Sequence, residues 1–151
     1  MITCQAETFA GILDELKPIL PQHYSELALN QDEVPLDPQY DIYLQREQNG
    51  EVLVVTLRES GILCGYFIGF VSPALHYKTC LTCIMDIFYV VPEWRGHGGG
   101  QILFRGVERE IKNRGVNRIF VGSKLHKDAS WLFEKMGYTE VERYYTKWFG
   151  E

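Results

Sequence analysis

No run in this 151-residue chain approaches the length of about 18 apolar residues that a membrane-spanning helix needs, so such a helix is excluded. Repeats, low-complexity tracts and Pro/Gly/Ser-rich linkers are also missing. A single domain over residues 1–151 is therefore expected, long enough to bury its own core. Cysteine is scarce: Cys4, Cys64, Cys80 and Cys83. The "CLTC" at 80–83 sits in an apolar strand pattern, where positions i and i+3 point to opposite faces. No second Cys/His pair accompanies it at ligand spacing, so reduced, buried thiols and no metal are expected. The first residues, "MITCQAETF", have neither a basic region nor an apolar block, which fits a cytoplasmic protein with no membrane contact.

A basic excess is missing as well. The formal net charge is −5, and residues 1–50 carry nine acids against two bases while the remainder carries eleven against thirteen. No basic face for nucleic acid is visible. An acidic first third beside a mildly basic remainder suits a cationic acceptor and an anionic cofactor, and equally a solvated acidic surface.

What is present is a mixed order of elements. Phe9, Ile12, Leu13, Leu16, Ile19 and Leu20 recur at helical spacing and predict a helix over 7–20. A shorter helical piece is read over 23–29, and "QYDIYLQREQ" can form another before the Asn49-Gly50 turn. "EVLVVTLR" and residues 62–71 read as a hairpin, with Pro73 ending its second strand. Residues 79–91 form a long apolar strand stopped by Pro92. A helix over 100–114 follows, then a strand over 118–123, a helix over 128–136, and strands over 138–141 and 143–149. A crossover helix between the strands at 79–91 and 118–123 makes them parallel neighbours.

Between the long strand and its crossover helix lies "WRGHGGGQ", with Gly96, Gly98, Gly99 and Gly100. So many glycines at a helix start cost backbone entropy and need a reason. A P-loop would need a following Lys-Ser or Lys-Thr, and a dinucleotide fingerprint would need Gly at position 101, which is Gln101. The order strand, Pro, Arg, glycines, helix remains. It places bare N–H groups and a positive dipole end beside Arg95, which is an anion site.

"RGHGGG" resembles the acyl-CoA pyrophosphate loop of the GNAT superfamily of N-acetyltransferases, Gln/Arg-x-x-Gly-x-Gly/Ala, with Arg95, Gly98 and Gly100 at its fixed positions. "DIFYVVPEW" is similar to that family's fourth strand and turn, and "SWLFEKMGY" to its later Leu-Tyr-Glu-Lys-x-Gly-Phe helix. The resemblance implies an α/β (α+β) fold. It would have a mixed, mostly antiparallel sheet of seven strands or fewer, a splayed central parallel pair and flanking helices. It implies acetyl transfer from acetyl-CoA, without metal, to a primary amine on a small cationic molecule, a protein lysine or a protein N-terminus. The alternative is a GNAT-fold module that holds CoA or a partner protein without turnover. The family leaves room for a homodimer.

By the same resemblance, backbone groups at Phe88, Tyr89 and Val90 would pair with the pantetheine amides and polarise the acetyl carbonyl. Gly96, His97 and Gly99 would complete the loop. Asp86 is the candidate base: it is the only charged side chain between Thr79 and Val91, and strict alternation puts it on one face with Ile84, Phe88 and Val90. Phe133 stands where the family has its proton-donating Tyr. The acid is then absent, replaced by water, or supplied by Ser130, Tyr138, Tyr144 or Tyr145, of which Tyr145 is the catalytic candidate. Lys127, at a pantetheine-bonding position, is suited to a CoA phosphate, and Ser130 and Phe133 fall beside the cofactor. His23, Tyr24 and Glu26, with Asp32, Glu33, Asp37 and Asp41, fall where the family builds its acceptor pocket.

Overall fold

The computed structural model describes residues 1–150. Among them five strands form one sheet in the order β1-β2-β3-β4-β5. These are β1 Ile2–Glu7, β2 Val52–Glu59, β3 Ile62–Ala74, β4 Tyr77–Val90 and β5 Arg118–Phe120. The first four pair antiparallel, and only β4 and β5 run parallel, across the crossover helix α5, Gly99–Asn113. The mixed sheet expected from the sequence is therefore present with fewer than seven strands.

Helices cover both faces, so central strands are apolar on both sides rather than alternating. Leu53, Val55 and Leu57 of β2 meet Leu103, Phe104, Val107 and Ile111 of α5, with Leu132 and Phe133 of α6, Ser130–Lys135. Val52 and Val54 face the other way. They pack with Phe9, Ile12 and Leu16 of α1 (Phe9–Leu16), Leu20 of α2 (Leu20–Leu27), and Tyr40, Tyr43 and Leu44 of α3 (Tyr40–Gln48).

Four sequence expectations change. The helix expected over 7–20 is a strand end, a cap and two helices: Glu7 closes β1, the Thr8 hydroxyl accepts from the Gly11 N–H at 3.0 Å, and α1 stops at Leu16. Pro21 then opens α2, where its missing N–H costs nothing. β1 went unread because an edge strand draws its register from β2, Ile2 opposite Glu59 through Glu7 opposite Val54, rather than from local pattern. Pro73 does not end β3; the strand continues to Ala74 through a register shift at that point, a place where proline is tolerated. Finally, residues 138–141 and 143–149 form no strands. Their β-formers have no partner to pack on: Tyr144 is 89% and Tyr145 90% exposed.

Candidate active site

β4 and β5 pair only from Thr82 opposite Arg118 to Ile84 opposite Phe120. From Met85 to Val90 the same edge of β4 has no strand neighbour among the described residues, so the sheet opens into a fork. A strand edge without a neighbour presents N–H and C=O groups to whatever lies in the gap. Phe88, Tyr89 and Val90 lie along it, and the Val90 carbonyl already accepts one bond, from Arg95 Nε at 2.8 Å.

At the mouth of the fork the chain makes a helical turn, α4 Pro92–Arg95, and then the glycine loop. Gly98 takes φ +77°, the left-handed conformation in which a side chain is strained, and serves as the N-cap of α5. Gly99 lies so close to α4 that a Cβ would sit 2.7 Å from the Trp94 carbonyl oxygen. Around Gly96 and Gly98 a Cβ would meet nothing within 4 Å, so this side of the loop is open. No side chain caps α5, whose first helical bond runs from the Ile102 N–H to the Gly98 carbonyl at 3.0 Å. The N–H groups of Gly99, Gly100 and Gln101 are thus left at the positive end of a fifteen-residue helix. His97 lies edge-on to Trp94, ring centroids 5.9 Å apart.

The Arg95 guanidinium turns back toward the α1–α3 face. It donates from Nη2 to Glu26 at 2.6 Å and lies 5.2 Å over the Tyr89 ring. The other Glu26 oxygen accepts from the Tyr89 hydroxyl at 2.6 Å. Burial works against the charged form of Glu26, but those two donors outweigh it and hold the carboxyl below its ordinary range. His23 stacks on Tyr89, centroids 4.7 Å apart, and its Nδ1 is 2.6 Å from the Tyr66 hydroxyl. Burial drives the His23 pKa down to about 4, so the ring is neutral at physiological pH. His23 and Glu26 were candidates from sequence. The tie from Glu26 to Arg95 was not legible there, because the partners are 69 residues apart.

Asp86 occupies a β-bulge. Ile68 pairs with Ile87 and Gly69 with Met85, so Asp86 is the extra residue. The bulge shifts the alternation by one. Phe88 and Met85 pack toward α5, whereas Asp86 accepts a hydrogen bond at Oδ2 from Tyr43 of α3, on the opposite face with Ile87 and Tyr89. Asp86 therefore does not share a face with Phe88 and Val90, as strict alternation predicted. Burial raises its pKa, and the Tyr43 hydroxyl and the charge of Arg46 pull it partly back. The carboxylate sits two residues past the last β4–β5 pair, at the root of the fork.

The other predicted residues divide. Phe133 is 7% exposed and packs edge-on to Phe88 and Phe104, 5.9 and 5.0 Å between centroids, forming an apolar wall on the α5 side of the fork. Ser130 is engaged by Asp128, which accepts from its hydroxyl and from its N–H, both at 2.9 Å. Lys127 is exposed and bridges backbone to Lys124. The Tyr138 hydroxyl is buried without a hydrogen-bond partner, and burial with the Glu108 charge pushes its pKa up. Tyr145 lies on the final segment and is 90% exposed, with no side-chain hydrogen bond to Asp86 or the loop. Among the described residues no group of three or more His, Cys, Asp or Glu side chains could hold a metal ion, and no helix is long and apolar enough to cross a membrane.

Residues 13–138 match the family model described as acetyltransferase (GNAT) family. No curated protein matches the chain. Among solved structures, a ribosomal-protein-alanine N-acetyltransferase from Brucella melitensis biovar Abortus 2308 superposes with a TM-score of 0.76 at 18% identity, covering 100% of this chain and 99% of that one. An aminoglycoside acetyltransferase from an uncultured soil metagenomic sample gives 0.77 at 12% identity, with 99% of each chain covered. A predicted acetyltransferase from Clostridium acetobutylicum, solved with acetyl-CoA, gives 0.72 at 15% identity over 97% of this chain and 96% of that one. At these identities the likeness is one of fold.

Proposed function

The chain belongs to the GNAT acetyltransferase family, an acyl-CoA-dependent N-acetyltransferase, and from that premise we propose that it acetylates a primary amine by direct attack. The acceptor is a small cationic amine or an amine of a protein. The observation that carries this reading is the fork: an unpaired β4 edge that runs from a bulged carboxylate to the uncapped amino end of α5.

Acetyl-CoA, when bound, supplies a thioester carbonyl open to a neutral amine. The N–H groups of Gly99, Gly100 and Gln101 fit phosphate oxygens, with Gly96 and Gly98 leaving the approach clear. His97 and Lys127 are the further donors we assign to the phosphates, with Arg95 joining them once it leaves Glu26, and Ser130 is assigned to the cofactor side. The β4 edge at Phe88, Tyr89 and Val90 orients the pantetheine amides, and Phe133 with Phe88 keeps water from the α5 side of the gap. Asp86 accepts, through water, the proton the amine sheds as its N–C bond forms and the thioester C–S bond breaks, and solvent returns a proton to the departing thiolate. Burial makes Asp86 a stronger base than a surface carboxylate. We assign Tyr145 no proton transfer, since it is 90% exposed on the final segment.

The test is to incubate the protein with labelled acetyl-CoA and a cell extract and to identify the labelled species. An N-acetylated amine that appears with the parent and not with Asp86→Asn supports the reading. Label on oxygen or sulfur esters alone, or none above background, overturns it.

A further inference from the structure

Arg95 is the cation that the loop brings beside the amino end of α5, yet its side chain is engaged elsewhere. Nε donates to the Val90 carbonyl at 2.8 Å, Nη2 to Glu26 at 2.6 Å, and the guanidinium covers the Tyr89 ring. The ion pair is only partly buried, with side chains 34% exposed for Arg95 and 19% for Glu26. Glu26 is not held by Arg95 alone, because Tyr89 donates to its second oxygen at 2.6 Å. The carboxylate therefore keeps a partner when the arginine leaves, which lowers the cost of separating the pair. The arginine has somewhere to go, since the loop beside it is open and faces three unused N–H groups.

We propose that Glu26 competes with the cofactor's phosphates for Arg95, so that cofactor binding pulls the guanidinium off α2 and uncovers the Glu26 carboxylate on the acceptor side. The proposal rests on the reading of the glycine loop as a phosphate site. Nε and Nη2, the edge of the guanidinium that would grip a phosphate, are the donors held by Val90 and Glu26, so a phosphate that takes Nη2 does so at Glu26's expense. Tyr89 ties Glu26 to the same face of β4 that carries Asp86. The uncovered carboxylate thus lies on the face of β4 that carries Asp86.

The consequence has a sign opposite to that of a simple structural tie. Glu26→Gln keeps a hydrogen-bond acceptor for Tyr89 and the same size, but gives Arg95 up more readily. By calorimetry it should bind CoA more tightly than the parent, by up to about fivefold, the range of a partly exposed ion pair. Pantetheine, which lacks the phosphates, should bind both proteins equally. Adding Arg95→Ala to Glu26→Gln should abolish the gain. Equal or weaker CoA binding by Glu26→Gln, with an unchanged melting temperature, overturns the proposal and makes the pair a brace for the loop. A tighter pantetheine complex overturns it too, since the gain would not come from phosphate. Glu26→Ala provides a second reading of the same sign. Failure of the parent to bind CoA would overturn the loop reading itself; CoA binding without a gain in the variants overturns the competition alone.

Discussion

Replacing Tyr43 with Phe isolates the environment of Asp86 from its identity. The Tyr43 ring stacks on Phe9 at 4.9 Å between centroids and tilts against Phe70 at 5.6 Å, and Phe keeps both contacts. What is lost is one hydroxyl donor to a half-buried carboxylate. A hydrogen bond to a charged group contributes about 1.5–3 kcal/mol, and the lower end applies where water can partly replace it. Each 1.36 kcal/mol is tenfold in an acid dissociation constant, so the variant's Asp86 should ionise at least about tenfold less readily. The direction is unambiguous. Burial raises the Asp86 pKa and the Tyr43 bond opposes it, so removing the bond raises it further. A base works only when ionised, and the acidic limb of kcat/KM must therefore move to higher pH, while the plateau above it is kept. Thiol release from acetyl-CoA, measured across pH with the acceptor that the labelling experiment yields, reads both. An unmoved limb would refute Asp86 as the titrating base, and an equal loss at every pH would show that Tyr43 acts by another route.

Three further outcomes follow from single residues. His23, with an ordinary pKa of 6.5 and a folded value of about 4, binds its proton more readily in the unfolded chain. Stability should therefore fall as pH drops from 6.5 toward 4, by at most about 3 kcal/mol. Urea midpoints across that range should slope less steeply for His23→Leu, and identical slopes would refute the burial argument. Gly98→Ala places a side chain at φ +77° in open space, so it should cost about 1–2 kcal/mol of backbone strain and nothing from packing. A parent-like unfolding midpoint would contradict that geometry. Gly99→Ala puts a methyl 2.7 Å from a backbone oxygen that cannot rotate away. It should destabilise by about 1–3 kcal/mol despite the better helix propensity of Ala, and a stabilised variant would show that α4 yields.

The parts of the site legible in the sequence are those made by neighbouring residues. Pro92, Arg95 and the glycines announce a strand end and a helix start, and the structure has α5 beginning uncapped at Gly99. The crossover between β4 and β5 was readable because a helix between two apolar strands forces them parallel. Asp86 stood out as a charge in an apolar strand, but its face did not. The bulge that turns it toward Tyr43 exists only in the register with Ile68 and Gly69. The aromatic run at 144–149 carried a strong strand signal and formed none, since strand propensity is realised only against a partner.

By itself, then, the sequence determined the local chemistry: where helices start, which stretch is extended, and that three backbone N–H groups stand open beside an arginine. Only the tertiary structure decided where that arginine points, with Glu26 brought to it from 69 residues away, and which face of β4 holds the carboxylate. The division is physical. Backbone conformation answers to residues a few positions off, whereas a side chain's partners are chosen by packing among elements that the chain order does not place together.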